Sequence, residues 1–175
     1  GKSFQNLFGM HFDAKACYNK ATELNPEYIE AWYNKGIVLM NWGDHEKADL
    51  CFDKVIELDY NNIKAWQGKL ILNDRLIMIN FADAQAWNNK GNALRNLGRL
   101  DEAIKAFNVS IEYDSRLAAS WYNKGVALYD LEMYDEAMEC YDKATNLDLT
   151  FLKAWYAKGL ALAHCSKYED AIKAF

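Results

Sequence analysis

Three histidines and four cysteines are the side chains of this 175-residue sequence best suited to acid–base, nucleophilic or metal chemistry. His11 and His45 occupy equivalent positions, where Leu100, Tyr134 and Tyr168 stand elsewhere. A position shared with leucine and tyrosine serves packing or a turn. His164 and Cys165 are neighbours on a predicted helix, so their side chains point apart and form no thiol–imidazole pair. Cys17, Cys51 and Cys140 share one frame, and Ala106 and Ala174 fill the same slot elsewhere. A slot that takes cysteine or alanine is small and buried. The sequence has no CxxC pair, no HExxH, no G-x-S-x-G and no glycine-rich phosphate loop. Acid pairs such as Asp101-Glu102 begin predicted helices, where the macrodipole favours them. The expectation is a protein without catalytic residue, metal or cofactor, in a reducing, cytoplasmic setting.

The positions that do recur belong to a scaffold. Trp32, Trp66, Trp87, Trp121 and Trp155 stand in one frame, 34 residues apart except for a step of 21 between Trp66 and Trp87. A fixed period of this size predicts stacked supersecondary units. In one unit Trp32, Gly36 and Leu39 form a helical stripe, Gly43 breaks it, and Ala48, Phe52, Val55 and Leu58 form a second stripe. Each unit therefore reads as helix, short turn, helix. A glycine inside a helix costs about 1 kcal/mol. Its recurrence at 36, 91, 125 and 159 implies a close helix approach, with Ala48, Ala103, Ala137 and Ala171 as the matching small residues.

This pattern resembles the tetratricopeptide repeat family, over nearly the whole chain. The family's leucine before glycine is lysine here, at Lys35, Lys90, Lys124 and Lys158. Its closing proline survives as Pro26, with Tyr60, Ser115 and Leu149 elsewhere. The resemblance implies an all-α solenoid of antiparallel helix pairs whose first helices line a concave groove. It also implies a non-enzymatic scaffold for an unidentified protein or peptide. The predicted peptide contacts are Tyr33, Asn34, Asn88, Asn89, Asn92, Arg95, Tyr122, Asn123, Tyr129, Lys153 and Tyr156. Amides can donate to and accept from a peptide backbone, and tyrosines add rigid contact area. A second reading makes the same residues exposed fillers of a duplicated unit. Some relatives clamp a chaperone's terminal carboxylate with lysine, asparagine, asparagine, lysine and arginine. Asn92, Asn123 and Lys153 match that set, but Asn88 and Ala157 replace two of its cations.

The predicted organisation is one array: a partial repeat at 1–28, full repeats at 29–62, 84–117 and 118–151, a truncated single-helix repeat at 63–83 and a partial repeat at 152–175. Both ends cut a repeat, as in a piece of a longer array or an array with unfinished caps. The truncated repeat is apolar nearly all round, through Leu70, Ile71, Leu72, Leu76, Ile77, Met78, Ile79 and Phe81. Two readings stand: a bend with an ordinary buried helix, or self-association through these residues into a homo-oligomer. Assembly and service as an accessory domain of a larger enzyme are the alternatives to peptide capture. The net charge of −5 speaks against nucleic-acid binding. Its acids cluster on second helices, such as Asp49, Asp53 and Asp142, and read as a solvated back. No apolar run approaches a membrane span, and GKSFQNLFGM lacks the apolar core of a signal peptide.

Overall fold

The computed structural model describes residues 14–165, and among them every regular element is a helix. Residues 14–24 are helical (α1). Then follow α2 (Ile29–Asn41), α3 (His45–Leu58), α4 (Ile63–Ile79), α5 (Ala84–Asn96), α6 (Leu100–Tyr113), α7 (Ala118–Asp130), α8 (Tyr134–Leu147) and α9 (Leu152–His164). The chain divides into two compact units, Gly1–Leu72 and Asn73–Phe175. His11, Tyr168, Ala171, Ala174 and Phe175 lie outside the described residues.

The turn within each full pair is a Schellman motif, in which two backbone N–H groups reach back to carbonyls of the helix just ended. Asp44, Arg99 and Met133 donate to the carbonyls of Leu39, Leu94 and Leu128 at 3.0, 2.9 and 2.9 Å. The motif needs one residue at positive φ. Gly43 and Gly98 supply it at 82° and 75°, and Glu132 takes φ 62° in the third pair.

Between pairs a different device recurs. The side chains of Asn25, Asp59, Asn80, Asp114 and Asp148 each accept from the N–H two residues on, at 2.9 to 3.2 Å. This Asx turn closes the loop with proline after Asn25 and without it after Asp59, Asn80, Asp114 and Asp148. Each repeat tryptophan then donates its indole N–H to the carbonyl six residues earlier. Trp32, Trp66, Trp87, Trp121 and Trp155 reach Pro26, Tyr60, Phe81, Ser115 and Leu149 at 2.8 to 3.1 Å. The indole thus pins each loop to the helix that follows it.

The first unit joins α2 to α3. Phe52, fully buried, lies between Gly36 of α2 and Gly68 of α4: a Cβ on either glycine would stand 2.8 or 2.7 Å from its ring. Lys69 is nearly buried and reaches Asp49 at 2.8 Å and also pairs with Asp53.

In the second unit α5 packs on α6 and α7 on α8, and α7 also contacts both α5 and α9, whereas α6 and α8 do not meet. The first helices therefore form a continuous inner row, and the second helices stand apart on the outside. Phe107 and Tyr141 take the place of Phe52, with their rings 2.5 and 2.6 Å from a Cβ built on Gly91 and Gly125. Ala48, Ala103 and Ala137 are fully buried. The close neighbour of Gly36, Gly68, Gly91 and Gly125 is thus chiefly an aromatic ring of a second helix, and the alanines are buried on that same helix. That corrects the expected glycine–alanine match.

Of the apolar residues of α4 and its following loop, Leu72 and Ile77 are core, and Leu70 and Leu76 are half-buried. Ile71, Met78, Ile79 and Phe81 are exposed, Met78 at 87%. The helix is not enclosed on every side.

Candidate functional site

The inner row of the second unit carries most of the predicted contact residues, and their placements differ. Asn89 is half-buried and accepts from Gln85 Nε2 at 2.9 Å. Asn92 accepts from Asn96 through its main-chain carbonyl at 2.8 Å. Arg95 reaches across from α5 to Asp130 of α7 at 3.1 Å, and its Nε is buried without a partner. Asn88 is buried at 4% exposure, and its Oδ1 accepts from Asn123 Nδ2 at 3.0 Å. Asn88 and Asn123 thus tie α5 to α7, and Asn88 offers nothing to a ligand. This corrects its assignment as a peptide contact: the position after tryptophan sits between adjacent first helices, where a short amide is covered. Tyr33 and Asn34 belong to the first unit, where they line a polar recess with Asp59, Asn61, Asn62 and Lys64.

Tyr122, Tyr129, Lys153 and Tyr156 come together. They line a cavity of about 500 Å³ between α7 and α9. Val126, Leu152, Ala157 and Leu160 complete its apolar wall, Tyr141 of α8 lies beneath, and Asp130 stands at its margin. Helical spacing explains the wall: positions 122, 126 and 129 fall on one face of α7, and 153, 156, 157 and 160 on one face of α9. Ring contacts hold it open. Tyr122 lies 5.0 Å from Phe151 and 6.1 Å from Tyr141. Tyr129 meets Tyr134 at 5.1 Å and His164 at 5.4 Å. Burial pushes the phenols of Tyr129 and Tyr141 upward, so both are neutral at physiological pH. Lys153 is exposed and is the one cation among the lining residues.

Val126 and Leu160 share the position five after tryptophan, one of the first-helix positions off the packing stripe that the repeat frame marks as groove candidates. Tyr141 falls in the second-helix slot that Phe52 and Phe107 fill, and a core slot gives no sign in sequence that its residue also lines a cavity. His164 stacks on Tyr134 at 4.8 Å, and the Cys165 thiol lies 3.9 Å from Asp135 Oδ1. No group of three or more potential metal ligands forms among the described residues, and no helix there is long and apolar enough to cross a membrane.

Antiparallel helix hairpins stacked through glycine–ring contacts, with first helices in an inner row, define an α-helical repeat scaffold. Two models of the tetratricopeptide repeat match the sequence, one at residues 84–115 and 118–151 and the other at residues 17–49. The chain belongs to the tetratricopeptide repeat family. A search of curated protein sequences found no match. Among solved structures, the crystal structure of MamA is 22% identical and covers 98% of this chain and 88% of its own, with a TM-score of 0.55. YrrB, described as a TPR protein with an unusual peptide-binding site, is 20% identical, with coverage of 90% and 88% and a TM-score of 0.55. The second TPR of Spaghetti (RPAP3), bound to the HSP90 peptide SRMEEVD, is 26% identical; it covers 53% of this chain and 86% of its own, with a TM-score of 0.52. The fold is that of a protein-interaction scaffold.

Proposed function

We propose that the chain is a non-enzymatic scaffold that takes a segment of a partner protein across the inner row of α5, α7 and α9. The observation that carries this is the apolar cavity of about 500 Å³ between α7 and α9. Ligand sites are concave, mostly apolar and furnished with a few polar groups, and this one has that make-up. The inner row holds tyrosines, which present large area at low entropic cost. Two structural neighbours are described in terms of a peptide: YrrB by its peptide-binding site, and the RPAP3 repeat by the HSP90 peptide bound to it. Affinity is modest, because a flexible segment loses entropy on docking.

The test is peptide selection from a random display library on the full chain. Selected peptides should lose binding to the Val126→Glu, Leu160→Glu variant, whose far-UV circular dichroism stays that of the parent. Peptides that bind the variant as well as the parent, and photo-cross-link to α6 or α8, would refute the inner-row site.

A further inference from the structure

We infer that this cavity reads an internal residue of the partner: a large apolar side chain, aromatic or leucine-like, with a carboxylate neighbour. The inference rests on the inner-row reading just proposed and adds the chemistry of the guest.

Three observations lead to it. The first is the wall. Tyr122, Tyr129 and Tyr156 line the cavity together with the apolar Val126, Leu152, Ala157 and Leu160, and Tyr141 lies beneath them. A cavity that is apolar except at its margin gains from a large hydrophobic group, because desolvation there costs little and each buried apolar surface contributes. The second is the charge. Asp130, the acid at the margin, is already paired with Arg95 at 3.1 Å. Lys153 lines the cavity on the α9 side and pairs with no acid among the described residues. Arg95, Asp130 and Lys153 together leave one positive charge at the mouth. A guest carrying a carboxylate beside its anchor is favoured, and one carrying lysine or arginine there is repelled. The three phenols could also suit a cationic guest, but Lys153 stands against that and Asp130 is spent.

The third observation separates an internal residue from a chain terminus. A terminal carboxylate brings a charge that must be held by several donors at once. Asn123 gives its amide to Asn88 at 3.0 Å, Asn88 is buried, and Lys153 is the one cation among the lining residues. One lysine suffices for a flanking side chain and falls short of a terminus.

The experiment uses the full chain and an array of N-acetylated, C-amidated dodecapeptides. Their backgrounds are randomised and fixed central pairs combine Phe, Leu or Ala with Asp, Asn or Lys. Phe and Leu anchors should exceed Ala by about tenfold or more, as expected for a buried hot spot. Asp should exceed Asn two- to fivefold at low salt, the range of an exposed ion pair. Lys153→Ala should erase the Asp preference and keep the anchor preference. Matching peptides with a free C-terminus should bind no better. Equal binding of Phe and Ala members, a preference for Lys, or a requirement for the free terminus would overturn the inference. If those failures occur while Val126→Glu, Leu160→Glu still abolishes binding, the inner-row reading survives alone. If that variant binds the array like the parent, both fall.

Discussion

Replacing Gly91 by alanine sets two effects of opposite sign against each other. Gly91 lies inside α5. On helix propensity alone, alanine there would stabilise the chain by about 0.5–1 kcal/mol. The new Cβ, however, would stand 2.5, 2.7 and 2.9 Å from Cε1, Cδ1 and Cζ of Phe107. Phe107 is fully buried, so its ring cannot turn out to solvent. Either α5 moves off α6 or the ring leaves its rotamer, and overpacking of this kind costs about 1–3 kcal/mol. Three ring atoms inside 3.0 Å put the clash in the upper part of that range, about 2–3 kcal/mol, so it wins and the net loss is about 1–2 kcal/mol. At about 2–4 °C per kcal/mol for a chain of this size, Tm falls by roughly 2–8 °C. Thermal and urea unfolding followed by far-UV circular dichroism measure it. Trimming the ring, in Gly91→Ala with Phe107→Leu, should recover part of the loss relative to the sum of the single changes. A Gly91→Ala protein more stable than the parent, or strictly additive losses in the pair, would show that the ring contact is not what demands glycine.

Two further outcomes follow from single positions. Glu132 holds φ 62° where the other two pairs place glycine, so Glu132→Gly should raise stability by about 0.5–1 kcal/mol, read as a higher urea midpoint; an unchanged or lower midpoint counts against strain at that turn. Burial raises the thiols of Cys51 and Cys140 from 9.0 to about 11. The folded chain then keeps protons that the unfolded chain releases, so stability is whole below about pH 9 and falls as pH climbs towards 11, by up to ~2–3 kcal/mol per thiol. Cys51→Ala with Cys140→Ala should flatten that fall, since Ala106 already fills the equivalent slot, and an identical alkaline slope in the variant would remove the thiols as its source.

The helices and their order were legible because the apolar stripes and the tryptophan frame are local signals that burial then honours. Trp66, Leu39, Phe52, Phe107 and Leu94 are indeed core. What one sequence could not show was which side chains meet across repeats. The glycines spoke of close approach without naming the rings that cause it. Asn88 and Asn89 are adjacent and chemically identical, yet one is buried in a bond to Asn123 and the other is half-buried and accepts from Gln85. Ser110 sits on the core stripe with a hydroxyl that donates to the Ala84 carbonyl at 2.6 Å and meets Ser120 at 2.7 Å, a partnership fixed only when α5, α6 and α7 are in place.

The lysine before Gly36, Gly91, Gly125 and Gly159 is the clearest case of a legible departure with an illegible purpose. Lys35, Lys90, Lys124 and Lys158 lie 4.8 to 5.8 Å from the centroids of the tryptophan rings one turn earlier. Lys69, Lys90 and Lys158 also pair with Asp53, Asp74 and Asp142, each sixteen residues back. A leucine at this place could only pack. Lysine lays its stem along the indole and carries its charge to the preceding helix. The acids of the second helices are therefore not all a solvated back: part of the negative charge is paired with the lysine of the next first helix. Asn19 and Asn108 stand sixteen residues before Lys35 and Lys124, so the ion pair is omitted there while the ring contact stays. At Lys35, Lys90, Lys124 and Lys158 the ring contact is thus common to all four, and the ion pair varies among them. Trp32, Trp87, Trp121 and Trp155 therefore serve both ends of the device, each holding the preceding loop through its N–H and the lysine through its face.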